Sequence, residues 1–219
     1  MTTAIQTNVK NPILVRERMA ALVTASVEIF ASKGFHASRV SDIVKLADMS
    51  QGAAYNYVRS KEDLLYLVCQ DYLASYRRII TEALSDAVTP RDRLFCLLSA
   101  TVRVMRQYRR HHLVLQRELH CLDRRARTPF LRDAAEFRGI CQDILVKACK
   151  EQGLTIRHPR LAANLLIHVP SVVVMRRWDI GSDLTEDQID ADLIVFMLNG
   201  LGLSARESAV LVSGETLAG

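Results

Sequence analysis

Leu22, Ala25, Ile29 and Phe30 recur at i, i+3, i+7 and i+8, the spacing that lines one face of a helix with apolar side chains. The stretch predicts a first helix from about Pro12 to Ser32, with Gly34 as its left-handed stop. Val40, Ile43, Val44 and Ala47 supply the packing face of a second, shorter helix. A third short helix follows to about Tyr57, separated from the second at Asp48 and Met49. Ser60-Lys61-Glu62-Asp63 then reads as a capping box, the reciprocal side-chain closure that opens a long fourth helix. Thr89-Pro90-Arg91-Asp92, Thr128-Pro129 and Thr185 with Gln188 repeat that start signal, while Gly153 and Gly181 mark breaks. Two late helices, Pro159 to Arg177 and Glu186 to Leu198, carry the apolar sets Leu161, Leu165, Val169, Val172 and Ile189, Leu193, Phe196, Met197. Alternating strand patterns and Asn-Gly or Asp-Gly hairpin turns are missing, so the fold class is all-α, with about nine helices.

Composition narrows the class further. Of the 219 residues, 49% are apolar and 24% charged, the balance of a globular protein with a substantial core. Cys69, Cys96, Cys121, Cys141 and Cys149 are odd in number and widely spaced, and no CxxC pair or Cys/His cluster of zinc spacing occurs. They read as buried thiols of a reducing cytosol. The first ten residues lack a signal segment, and the longest apolar run, Leu161 to Met175, is interrupted by Asn164, His168 and Pro170. A cytoplasmic protein without a membrane span is therefore expected.

Charge is unevenly placed. Residues 1–62 carry net +3, residues 91–127 net +7 and residues 179–219 net −7, against +5 for the whole chain. The excess of cations suits a polyanionic partner, yet its peak lies outside the first three helices.

Those three helices have the parts of a helix-turn-helix: a packed short helix, a tight turn, and a second helix whose free face can enter the major groove. Gly52 and Ala53 keep the entering helix slim, and Gln51 and Asn56 offer paired donors and acceptors to base edges. Phosphates are expected to meet Arg39 and Ser41 at the start of the second helix, Tyr55 and Tyr57, and Lys61 at the start of the fourth.

From Arg16 to Leu65 the sequence resembles the N-terminal domain of the TetR family of transcription regulators. Leu22, Ala25, Ile29, Phe30 and Gly34 look like that family's first helix and stop, and Val40, Ile43 and Ala47 like the buried side of its second. Ser50, Gly52, Tyr55, Tyr57 and Lys61 look like its serine-led recognition helix, tyrosine pair and fourth-helix start. Three positions depart from the family's pattern. Asp48 stands where the turn commonly has glycine, Gln51 where lysine is frequent, and Val58 where an aromatic closes the tyrosine motif. Aspartate tolerates the left-handed conformation and valine fills part of the aromatic's space, so these touch base preference and affinity more than fold.

The resemblance implies a DNA-binding domain over residues 12–60 (the motif itself about 39–58) and a helical effector-binding and dimerisation domain over 61–202, with loose ends at 1–11 and 203–219. It also implies a homodimer on double-stranded, palindromic operator DNA, with a small-molecule effector that relieves repression. With the late apolar sets, the resemblance implies a four-helix interface using Leu161, Leu165, Val172, Leu193, Phe196 and Met197, the alternative being that these stripes face only the subunit's own core.

The stretches Tyr108–Asp123 and Val173–Gly202 look like ligand domains of TetR-type repressors of fatty-acid and steroid breakdown, which implies an acyl-CoA thioester as effector. Arg106, Arg110, Gln116 and Trp178 are the candidate ligand residues, arginine forks suiting phosphates. The arginine-rich stretch from Arg103 to Arg127 has a second reading, a solvated face that pairs with Asp187, Asp190 and Asp192. Trp178 walls a pocket or plugs a helix end, and Pro170 kinks its helix or sits at a bend. His111, His112, His120 and Glu118 lack metal-ligand spacing, so no metal and no other cofactor is expected. A GxSxG elbow, a glycine-rich phosphate loop and an HExxH are all missing, and Ser204 and Ser208 fall in the small-residue tail. No enzyme and no catalytic residue is expected. The alternatives to an acyl-CoA-responsive repressor are a small-hydrophobe-responsive regulator of multidrug type and a helical interaction scaffold that does not bind DNA.

Overall fold

The computed structural model describes residues 11–180 and 183–203. Most of the ends expected to be loose, Gly181, Ser204 and Ser208 lie outside the described residues. Among the described residues every regular element is helical: α1 (Pro12–Lys33), α2 (Val40–Leu46), α3 (Gln51–Ala54), α4 (Lys61–Ala83), α5 (Pro90–Gln107), α6 (Arg109–Glu118), α7 (Arg124–Glu151), α8 (Pro159–His168), α9 (Ser171–Ile180) and α10 (Glu186–Gly200), with a 3-10 turn at Leu119–Cys121.

The helix starts follow from side chains that capture orphan backbone N–H groups. Ser60 Oγ accepts from Asp63 N at 3.1 Å while Asp63 Oδ2 accepts from Ser60 N at 3.2 Å, closing the box at α4. Thr89 with Asp92 and Thr185 with Gln188 close the same way at α5 and α10. At α1, Asn11 Oδ1 accepts from Ile13 N, and Gly34 stops the helix with φ 77°.

Two expected boundaries are corrected. Thr128-Pro129 opens no helix: Asp123 Oδ1 accepts from Ala126 N at 2.8 Å, so α7 starts at Arg124 and Pro129 lies inside it. The single helix expected from Pro159 to Arg177 is two, because Pro170 has no N–H to continue α8 and α9 begins at Ser171.

Among the described residues, compactness groups 11–75 with 108–134, and 76–107 with those from 135 to 203. In the first unit Leu22, Phe30, Ile43, Val44, Leu64, Leu65 and Val114 form a continuous core. In the second, α5 packs against α8, α9 and α10, and Leu94, Leu98, Leu145 and Met197 are fully buried. Tyr76 donates to Thr101 Oγ1 at 3.2 Å and meets the Phe137 ring edge-on.

Three of the five free thiols, Cys69, Cys141 and Cys149, are buried, and burial pushes Cys69 and Cys141 up to about 12, where neither reacts as thiolate. Cys96 and Cys121 are only partly buried, which corrects the expectation for those two.

Candidate nucleic-acid interface

The α2–turn–α3 segment is built by a two-sided division of its side chains. Ile43 and Val44 from α2 with Ala47 at its C-terminal cap, and Ala54 of α3 with Tyr57 and Val58 of the turn after it, face the core. Gln51, Gly52, Tyr55 and Asn56 face outward, as do Arg39 and Ser41 at the start of α2, and Ala53 is half-buried. Ser50 holds the start of α3, its Oγ accepting from Ala53 N at 3.2 Å. The turn works as its aspartate suggests: Asp48 has φ 52°, the left-handed region that a short polar side chain tolerates. Val58 is buried and fills the core position where the family pattern has an aromatic.

Gly52 lies on the exposed side of α3. A Cβ there would meet no protein atom within 4 Å, so the chain's own packing does not demand glycine. Any demand comes from what approaches α3 from outside.

Two expected phosphate contacts are corrected. Tyr57 is 4% exposed and belongs to the core. Lys61 turns inward: its Nζ donates to Phe35 O at 2.7 Å, Ser38 O at 3.0 Å and His36 O at 3.2 Å. Those three bonds use all three ammonium hydrogens, and the cation also lies 4.5 Å from the Phe35 ring centre. Its positive charge serves the loop between α1 and α2.

The ligand candidates fall in different places. Arg106 pairs with Asp187 at 2.9 Å and Asp190 at 3.1 Å on α10, the pairing that the solvated-face reading of the arginine stretch described. Burial nevertheless pushes the Asp190 carboxyl up, against the pull of Arg106. Arg110 pairs with Glu28 of α1, and Gln116 is exposed on α6. Trp178 is 74% exposed with Arg176 stacked 4.7 Å from its ring centre, so it plugs no helix end.

Among the dimer candidates, Leu161, Leu165, Val172 and Phe196 are exposed and Leu193 is half-buried. Met197, at 2% exposure, faces its own core, which corrects that assignment.

The three histidines of the α6 region separate. His111 Nε2 lies 3.4 Å from Asp71 Oδ2, and His112 Nδ1 shares a 3.0 Å hydrogen bond with the Tyr72 hydroxyl. His120 joins a group that sequence spacing does not reveal, beside His36 and Cys121.

Two family models match the chain: bacterial regulatory proteins of the tetR family over residues 22–67, and the tetracyclin repressor-like C-terminal domain over residues 87–201. The HTH-type transcriptional regulator HbdR of Aromatoleum is 28% identical over 42% of this chain, which spans 40% of that protein. The fatty acid metabolism regulator protein of Bacillus subtilis is 24% identical over 66% of the chain and 77% of its own length. The HTH-type transcriptional repressor KstR2 of Mycobacterium tuberculosis is 24% identical over 85% of the chain and 94% of its own. Among solved structures, a tetR-family regulatory protein from Rhodococcus RHA1 aligns with TM-score 0.76 and 24% identity, covering 85% of this chain and 98% of that one. AibR, solved in complex with isovaleryl coenzyme A and operator DNA, aligns with TM-score 0.70 and 16% identity over 82% and 97%.

Proposed function

The chain belongs to the TetR family of bacterial regulatory proteins, whose members are transcriptional regulators and not enzymes, and from that premise we propose a ligand-relieved repressor that binds a near-palindromic operator as a homodimer. It acts in the cytoplasm, with residues 12–60 on DNA and residues 61–202 for effector and partner subunit. The observation that carries the DNA reading is the outward set of α3 and the turn that follows it: Gln51, Gly52, Tyr55 and Asn56 are exposed while Ala54, Tyr57 and Val58 anchor the other side. Gln51 and Asn56 read base edges, and Arg39, Ser41, Ser50 and Tyr55 position the helix on phosphates, with Ala53 and Gly52 allowing close approach.

Gel shifts against fragments of the DNA upstream of its own coding sequence test the whole reading. On the shifted fragment, Gln51→Ala or Asn56→Ala costs about 1–3 kcal/mol, and on unrelated DNA nothing measurable. Equal weakening on both DNAs makes these side chains positioning groups instead of readers.

The effector of this reading is an acyl-CoA thioester. Support comes from the fatty acid regulator among the relatives, the coenzyme A complex of AibR, and the net +7 of residues 91–127. Arg106 and Arg110 are already paired, but all the carboxylates except Asp190 are well exposed, and such pairs are worth about 1 kcal/mol or less. A phosphate can therefore take either guanidinium at small cost. For the same reason these exchanges cannot by themselves throw the switch, since moving an equilibrium from 1:99 to 99:1 needs roughly 5.5 kcal/mol of differential affinity. Most of it must come from burying the acyl chain.

Titration with acyl-CoA esters beside the matching free acids, following release of operator DNA, is the test. Release by the thioesters and a weakened response in Arg110→Glu are expected. Release by free acids or neutral hydrophobes alone replaces this effector with a small-hydrophobe class.

A further inference from the structure

Side chains 84 and 85 residues apart in sequence meet at one point of the N-terminal unit. His36 lies in the loop between α1 and α2, and His120 and Cys121 on the 3-10 turn after α6. Cys121 Sγ is 3.6 Å from His36 Nε2 and 3.5 Å from His120 Nε2, and the three atoms all lie within 4.8 Å of one another. The Glu118 carboxylate stands 3.9 Å from the same sulfur.

Hydrogen bonding alone accounts poorly for this grouping, because a thiol has one weak donor hydrogen and three polar groups surround it. A metal ion accounts for it better. Tetrahedral zinc bonds sulfur at about 2.3 Å and imidazole nitrogen at about 2.0–2.1 Å, which holds S and N roughly 3.5 Å apart. Both observed sulfur–nitrogen distances match that separation.

The frame around the group is fixed. Phe35 N donates to Glu118 Oε1 at 3.3 Å, and Lys61 holds the carbonyls of Phe35, His36 and Ser38. His36 and His120 are exposed and Cys121 is half-buried, so an ion can enter from solvent.

We propose that His36 Nε2, His120 Nε2 and Cys121 Sγ bind a borderline-soft divalent cation of the zinc type. On binding, the Cys121 thiol gives its proton to solvent, and the thiolate with two neutral imidazoles forms three bonds to the ion. The fourth position is left to water or to Glu118 Oε2. The bound ion ties the loop that enters the helix-turn-helix to the end of α6, so it holds α2 in register with an element of the effector-binding segment. Nothing in this depends on which organic effector the protein takes.

Cobalt(II) is the probe, because its thiolate complexes show a charge-transfer band that nitrogen and oxygen sites lack. Full-length protein titrated with cobalt should develop that band to one equivalent per chain, and zinc should abolish it. Cys121→Ala should lose the band, and His36→Ala, at an exposed position, should bind at least tenfold more weakly while keeping the wild-type circular dichroism. Cys96→Ser, at the other partly exposed thiol, should keep the band. Zinc should raise the melting temperature of wild type and of Cys96→Ser but not of Cys121→Ala. Absence of the band in wild type, or a band and melting shift that survive in both Cys121→Ala and His36→Ala, overturns the proposal.

Discussion

Lys61→Met lowers the stability of the folded protein by about 2–4 kcal/mol in urea unfolding, hydrogen bonds from a charged donor being worth about 1.5–3 kcal/mol each and the exposed His36 carbonyl recovering water. Methionine keeps most of the aliphatic stem but loses the cation over the Phe35 ring, leaves the carbonyl of buried Ser38 without its ammonium donor, and leaves that of Phe35 with the Ser38 N–H alone. Lys61→Arg does not rescue, because a planar fork cannot converge on three carbonyls that meet at one ammonium. The fraction that remains folded binds DNA with an unchanged salt slope. Had Lys61 spent its charge on a phosphate, as the motif suggests, the outcome would be the reverse: unaltered unfolding and a slope smaller by about one. Unfolding curves and salt titrations on the same preparation separate the two.

The misassignment of Lys61 shows where sequence reading stops. Its three acceptors lie 23 to 26 residues upstream, and nothing in a Ser-Lys start signal says whether the lysine faces out or in. What was legible is what is decided locally: the stripe of α1, the caps at Ser60, Thr89 and Thr185, and the left-handed Asp48 all depend on neighbours within four residues. Thr128-Pro129 failed by a competition equally local, since Asp123 captured Ala126 N first and the proline was absorbed into a helix already under way. The outward face of α3 could be read because glycine, glutamine and asparagine interrupt an otherwise apolar segment. Tyr57 could not be told from Tyr55 by type, only by the helical turn that carries one inward and leaves the other 57% exposed. The His36, His120 and Cys121 group lay beyond any spacing rule because tertiary packing alone brings its two halves together.

The same difference between neighbours on one helix gives the second large effect, at α10. Phe196 is 65% exposed while Met197 is buried, and on α8 Leu161 and Leu165, one turn apart, are 56% and 55% exposed. A homodimer made from these faces buries each side chain twice, once per subunit, because a two-fold interface repeats every contact. Burying a Leu or Phe is worth about 1.5–3 kcal/mol, so removing Phe196 from both halves and leaving two carboxylates in its place costs the pair at least about 3–6 kcal/mol. Phe196→Glu and Leu165→Glu therefore each weaken dimerisation by roughly two to four orders of magnitude, at about 1.4 kcal/mol per decade. Both variants unfold at the wild-type urea concentration when compared as monomers, since neither side chain supports its own core. Met197→Ala does the opposite: it costs about 2–5 kcal/mol of folding stability through the cavity it leaves and spares the association of whatever remains folded. Sedimentation velocity across nanomolar to high-micromolar concentrations reads the first effect and urea unfolding the second. Wild-type dimer stability in Phe196→Glu and Leu165→Glu alike would put the subunit contact on another face, and a loss of operator affinity without loss of dimer would point to a role for α10 in setting the spacing of the two recognition helices.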